Sequence, residues 1–320
     1  MRVSVIVVAH NSGPYLARCF EALSKQTNKD FDIVLVDNNS TDGSIEKLSS
    51  TALPRLSVIR LQQNAGFAKA NNLAIERVRR SDWIALLNPD AYPEPSWLET
   101  LAGYIKRYPD YASFSSRLVQ ASRPEALDGA GDAYHTSGRV WRRGYGLSSE
   151  GHYSKPEEIF SACAAAAFYR RDALEAVGGF DEDFFCYLED VDLGFRLRLA
   201  GYRCLYVPDA MVLHVGSATV GKGSDFYVFH GHRNLVWAYV KNMPGPLFWM
   251  YLPYHLAMNV ASVIWYALRG RWRVILKAKW DAIKGLPRML RKRREIQARR
   301  VVSAWEIRKM MEKGWPLRGR

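Results

Sequence analysis

The chain has 320 residues, 48% hydrophobic and 24% charged, enough apolar matter for one substantial core and an appendage. Its formal net charge of +13 sits at one end: residues 268–320 hold 18 of the 45 Lys/Arg and only 4 of the 32 Asp/Glu. The first 267 residues are close to neutral, which argues against a nucleic-acid binder that uses its whole surface and marks a functional boundary near the tail.

Taken in chain order, the first half alternates strand and helix patterns. Residues 3–8 are an apolar, β-branched run that reads as a buried strand. Leu16, Phe20 and Leu23 then recur at helical spacing. Residues 31–36 read as a second strand, ending in Asp37, and 57–61 as a third. Residues 65–78 read as a helix with Phe67, Ala70, Ala74 and Val78 near one face, and Trp83–Leu87 as a fourth strand running into Asn88-Pro89-Asp90. Strands separated by helical segments require right-handed crossovers, so the expected class is α/β, with a mainly parallel, Rossmann-like sheet flanked by helices. Further on, a helix is expected from near Glu189, with Leu193, Leu197 and Ala200 at helical spacing, and 203–207 is strand-like.

Four cysteines, Cys19, Cys163, Cys186 and Cys204, form no C-x-x-C pair and no zinc-module spacing, so free thiols in a reducing cytosol are expected. The opening apolar run is too short for a signal peptide and lacks a cleavage pattern.

Ligands of such sheets bind beyond the carboxyl ends of the strands. His10-Asn11-Ser12, Asp37 to Gly43, Asn64-Ala65-Gly66 and Asn88-Pro89-Asp90 follow the four strands in turn. One such cluster is ordinary turn chemistry, whereas four at successive strand ends describe one crevice. G-x-G-x-x-G and G-x-x-x-x-G-K-[ST] are both absent, which excludes a classical dehydrogenase or a P-loop enzyme.

Asp90 is a carboxylate just past an apolar strand. Mg²⁺ takes one or two protein carboxylates alongside phosphate oxygens and water, so a single Asp suffices; the other reading is an N-P-D turn. Residues 181–192 pack six carboxylates among aromatics. Helix N-capping accounts for Glu189 or Asp192, but not for the whole segment. His214, in an apolar stretch, is either structural or, in the company of Asp90 and Asp190, a metal ligand. Residues 128–155 hold six glycines with Trp141, Arg142, Arg143 and Tyr145, and read as a mobile loop, either an acceptor-site lid or ordinary surface.

No residue from Pro244 to Leu268 is charged, and Lys/Arg-rich segments follow. Pro253, His255 and Asn259 interrupt the apolar run, and Trp249, Tyr251, Tyr254, Trp265 and Tyr266 suit a headgroup interface. The division expected is a catalytic domain over 1–243 and an apolar, basic helical extension over 244–320. The extension reads as a peripheral anchor on an anionic membrane surface, with a true span or a helical hairpin packed on the body or on another subunit as alternatives.

The ordered set VSVIVVAHNS, VLVDNNSTDGS, NAGFAKANN, LLNPDA, GGFDEDFFCYLEDVDLGFRLRLAG and HVGS resembles the inverting family-two glycosyltransferases of GT-A fold, most closely their rhamnosyltransferase-like branch, over about residues 1–245. The resemblance implies transfer of a sugar from a nucleotide-diphosphate donor, with dTDP-rhamnose favoured and the UDP-hexoses as alternatives, to a glycan or polyprenyl-linked acceptor in cell-surface polysaccharide synthesis at the inner face of the cell membrane. It implies that Ala9, His10, Asn11, Asp37, Asn39, Asn64, Lys69, Asn88 and Asp90 bind the donor. Asp90 and His214 would hold a divalent metal, Mg²⁺ or Mn²⁺, with Asp190 as the catalytic base and Glu189 on the acceptor. Trp141 is added as an acceptor contact from the glycine-rich segment. Many relatives carry Asp-x-Asp where this chain has Asn88-Pro89-Asp90, so the first carboxylate is missing, and Lys69 replaces a small residue, facing either diphosphate or solvent. A sugar-nucleotide nucleotidyltransferase and a polyanion binder using the basic tail are the rival readings; the first strand ends in AHNS rather than a Gly-rich basic signature, and no specific nucleic-acid motif is present.

Overall fold

A computed structural model describes residues 1–48, 55–216 and 223–314. The elements run β1 (Val3–Ala9), α1 (Gly13–Ser24), β2 (Phe31–Asp37), α2 (Ser44–Leu48), β3 (Leu56–Arg60), α3 (Gly66–Arg77), β4 (Trp83–Leu87), β5 (Ala91–Pro93), α4 (Trp97–Arg107), β6 (Tyr111–Gln120), β7 (Arg123–Gly129), β8 (Asp132–Tyr134), β9 (Val140–Arg142), β10 (Glu157–Glu158), β11 (Ala166–Arg170), α5 (Arg171–Val177), α6 (Glu189–Leu199), β12 (Arg203–His214), α7 (Asp225–Asn242), α8 (Gly245–Ala267), α9 (Trp272–Ala298) and α10 (Ala304–Met310).

The main sheet has the order β10-β12-β6-β11-β4-β1-β2-β3, with β5 on β12 and β7 on β6. β4, β1, β2 and β3 are mutually parallel, as are β6 and β12; β11 runs antiparallel between the two blocks. β1 alternates strictly between two cores: Val5 and Val7 pack with α1 and α4, whereas Ile6 and Val8 pack with α3 and α6. A strand covered on both faces reads as the nearly continuous apolar run seen in the sequence, interrupted at Ser4.

The strand expected over 203–207 is one long strand instead. A register irregularity between Val207 and Met211 absorbs Pro208-Asp209, and the strand continues to His214. A bulge lets a strand carry a proline without losing its far end. The 128–155 segment is also not the mobile loop expected. Asp128, Asp132, Tyr134 and His135 are buried, and β8 pairs with β9. Gly129 is there for close approach: a Cβ on it would collide with the Arg142 side chain.

The C-terminal helices share the protein's interior. Ala282 and Met289 of α9 and Ile307 of α10 join Trp237 of α7, Phe195 of α6 and Phe184 in a third apolar cluster. α8 is long and apolar enough to cross a membrane by length and composition, and it is mostly exposed. Its Leu247 and His255 are buried, His255 Nδ1 lying 2.8 Å from the Ser137 carbonyl, while Trp249, Val260 and Trp265 face outward. All four cysteines are free.

Candidate active site

A cavity of about 460 Å³ opens at the carboxyl ends of β1, β2 and β4, within the usual size of a small-molecule site. It brings together eight of the expected residues: His10, Asn64, Asn88, Asp90, Trp141, Glu189, Asp190 and His214.

The sheet itself makes the Asp90–His214 pair. β4 ends at Leu87, the chain turns through Asn88-Pro89-Asp90, and β5 lies antiparallel on β12 with Ala91 opposite His214. Gly216 N–H donates to Asp90 Oδ2 at 3.1 Å. His214 Nδ1–H donates to Asp128 Oδ2 at 2.7 Å, which fixes the ring so that Nε2 faces Asp90 Oδ1, 3.4 Å away. Nε2 is buried and has no hydrogen-bond partner among the described residues. Arg142 Nη1 donates to the same Asp128 oxygen at 2.6 Å. Burial works against charge on these groups, but the pairs outweigh it. Asp90 and Asp128 are held below the ordinary carboxylate range, Asp90 by His214 and Asp128 by His214 and Arg142, and His214 is lifted above its ordinary value by the two carboxylates. An orphaned imidazole nitrogen beside a carboxylate is a donor set that fits a divalent cation, and the field that draws a proton to His214 would draw the cation too.

Asp190 lies in the first turn of α6. Its Oδ2 accepts from Ala164 N–H at 3.1 Å and its Oδ1 from Val191 N–H at 2.8 Å. One ligand atom each of Asp132, Cys163 and Asp190 lies within 4.8 Å of the others. Arg142 Nη2 donates to Cys163 Sγ at 2.9 Å, and its Nε is 4.0 Å from Asp132. Burial raises the pKa of Asp190, of Asp132 and of Glu189; Asp190's charge adds to the rise at the other two. Glu189 Oε2 is buried without a hydrogen-bond partner among the described residues. A carboxylate lifted toward neutrality accepts a proton more readily, which is what a general base requires.

The other five expected donor residues do not line the cavity. Ala9 is fully buried in the core. Asp37 is buried and uses Oδ1 to accept from Ser40 N–H. Asn11 is exposed, its Oδ1 accepting from Thr41 N–H. Asn39 turns at φ +64° and is exposed, and its neighbour Asn38 lines the cavity in its place. Lys69 is exposed on α3. Asn38 is the residue one place away that the sequence did not single out. Its amide donates to Asn64 Oδ1, its Oδ1 accepts from Ala65 N–H, and so it anchors the start of α3. Asp128, Asp132 and Cys163 were also missed. The only available signal was a pair of acids framing Gly129-Ala130-Gly131, which reads as an ordinary turn.

A sequence model described as "Glycosyl transferase family 2" matches residues 4–178, and one described as "Glycosyl transferase family group 2" matches residues 152–280. The N-acetylglucosaminyl-diphospho-decaprenol L-rhamnosyltransferase of Mycobacterium tuberculosis is 27% identical over 250 residues, 72% of this chain and 81% of that protein. Among solved structures, the mannosyltransferase PcManGT from Pyrobaculum calidifontis, in complex with GDP-Man and Mn²⁺, superposes with a TM-score of 0.54 at 19% identity, covering 98% of this chain and 88% of that one. GalNAc-T7 with UDP, GalNAc and Mn²⁺ gives a TM-score of 0.60 at 17% identity, covering 74% of this chain and 47% of that one. With a family match over more than half its length and GT-A neighbours throughout its fold, this chain belongs to glycosyl transferase family 2 and is a hexosyltransferase-type glycosyltransferase.

Proposed function

We propose that this enzyme inverts the anomeric centre of a sugar as it moves it from a nucleotide diphosphate, first candidate dTDP-rhamnose, to a polyprenyl-diphosphate-linked saccharide. The observation that carries the reading is the meeting, in one cavity, of the strand-end residues His10, Asn38 and Asp90 with buried Glu189 and half-buried Asp190. The donor lies against the ends of β1, β2 and β4. Asp190 takes the proton of the acceptor hydroxyl while that oxygen attacks the anomeric carbon from the face opposite the diphosphate. The bond to the diphosphate breaks, the anomeric centre inverts, and Asp190 ends protonated. Glu189, whose pKa burial and the charge of Asp190 raise, hydrogen-bonds the acceptor, and Trp141 offers it an apolar face. Asp90 and His214 would hold Mg²⁺ or Mn²⁺, which when bound would offset the charge of the leaving diphosphate. The rhamnosyl donor and lipid-linked acceptor are suggested by the mycobacterial relative's name.

The acceptor class fits an enzyme that lies along the cytoplasmic face of a membrane. α8 seats His255 and Leu247 on the body and turns Trp249 (71% exposed), Val260 (59%) and Trp265 (56%) outward, beside the basic tail. Purified enzyme should sediment with anionic vesicles, and Trp249→Ser with Trp265→Ser should release it without loss of donor hydrolysis.

The deciding assay measures nucleoside diphosphate released from each of a panel of nucleotide sugars, with and without Mn²⁺, using polyprenyl-diphosphate N-acetylglucosamine as acceptor. Metal-dependent release from one donor, lost in Asp190→Asn, supports the reading. Release that is unchanged in Asp190→Asn overturns it.

A further inference from the structure

The segment between Phe180 and Glu189 is strained. Phe185, Tyr187 and Leu188 have φ of +63°, +68° and +66°, none of them glycine. At Phe185, ψ is −65°, and Cys186 N–H donates to the Phe184 carbonyl at 2.7 Å. That is a γ-turn of the rare, strained hand. Such conformations persist only where the surroundings over-determine them. This turn leads directly into Glu189 and Asp190.

What holds the turn comes from the C-terminal helices. Asn234 of α7 is fully buried, and its amide Nδ2 lies 2.9, 2.9 and 2.7 Å from the carbonyls of Phe184, Cys186 and Tyr187. Lys241 of α7, also fully buried, bridges Asp181 Oδ2 at 2.5 Å and Asp192 Oδ1 at 2.6 Å, the two ends of the segment. Lys292 of α9 reaches Asp181 at 2.5 Å and Asp183 at 2.7 Å. Ammonium groups serving only to pack one helix on another would pair with acids on α7 or α9. Lys241 and Lys292 instead pair with the acids that bracket the strained turn.

We propose that Asn234 and Lys292 are positioning residues: α7 and α9 hold the strained 184–188 turn, and through it set the aim of the carboxylate on Asp190. The inference rests on Asp190 being the base. It makes the basic tail part of the catalytic assembly and not only an anchor, and it gives five of the six carboxylates between 181 and 192 a distinct purpose: Asp181, Asp183 and Asp192 take the clamp, and Glu189 and Asp190 face the cavity.

Asn234 is wholly buried, so its variants also report on folding. Lys292, whose side chain is 34% exposed, carries the test. Full-length Lys292→Met, Lys292→Arg and Asp190→Asn are compared at saturating donor for kcat, donor KM and nucleoside-diphosphate Kd. Lys292→Met should lower kcat roughly ten- to a hundredfold with donor KM and Kd unchanged, as expected when a reacting group is displaced by a fraction of an ångström. Lys292→Arg, which keeps a cation between Asp181 and Asp183, should recover most of that loss. An unimpaired kcat in Lys292→Met, a matching loss of donor affinity, or no recovery in Lys292→Arg overturns the inference. Parent-like turnover in Asp190→Asn sinks the base assignment instead.

Discussion

Two carboxyl clusters line one cavity, and their surroundings shift them in opposite directions. In the first, Asp90 and Asp128 meet His214 and Arg142, whose pull holds both acids below the ordinary carboxylate range despite burial. In the second, Glu189 and Asp190 meet Asp132, another acid; burial raises the pKa of all three, and the charge of Asp190 raises Asp132 and Glu189 further. The residue types are nearly the same, so the neighbours alone make the difference. A cluster of fixed negative charge suits a cation and the leaving diphosphate. A cluster that can take up a proton suits the attacking hydroxyl. Arg142 touches both, through Asp128 on one side and Cys163 on the other.

That contrast can be broken from either side. The largest effect is expected at the proton-accepting cluster: Asp190→Asn should lower turnover by about 10²–10⁴-fold, the usual contribution of a general base, while a nucleoside diphosphate still binds in calorimetry. Next comes the charged cluster. Asp128→Ala leaves Asp90 and His214 in place but removes the acceptor that orients the ring, and should raise the Mn²⁺ concentration for half-maximal activity by roughly 10–100-fold. An unchanged Mn²⁺ titration would mean that the ring needs no such support.

Arg142 sharpens the comparison. It lowers the pKa of Asp190, so Arg142→Met should raise it further. Asp190 works unprotonated, and activity is lost as pH falls through its pKa. The acidic limb of the kcat–pH profile should therefore move to higher pH; a shift to lower pH would place the base elsewhere. The smallest effect is expected at the seam between donor and base sides. Gly66 has φ +80°, a Cβ on it would lie 2.6 Å from the Phe185 ring and carbonyl, and Phe67 N–H donates to that carbonyl at 2.6 Å. Gly66→Ala should cost about 1–3 kcal/mol, read as a lower Tm.

Much of this was legible in one dimension because it is local. Strands β1, β2 and β4 appear as apolar runs, and polar turn residues follow each of them, so the ligand edge of the sheet could be read directly. Asp90, Glu189, Asp190 and His214 stood out because each carries chemistry near the end of a regular element. Asn38 was missed in favour of Asn39, because only the backbone turn decides which of two adjacent asparagines enters the cavity. Arg142 was seen, but as part of a loop.

By itself, then, the sequence determined the α/β class, the strand-end crevice and the acidic block, since periodicity and turn chemistry act over a few residues. Only the tertiary structure decided which way the pKa of each acid moves, because that is set by what lies across the cavity: His214 beside Asp90, 124 positions away, and Asp132 beside Asp190. It also decided that Lys292 in the basic tail turns inward. Lys292 looks like one more charge in a solvated run, until the packing of α9 on α7 lays it against Asp181 and Asp183.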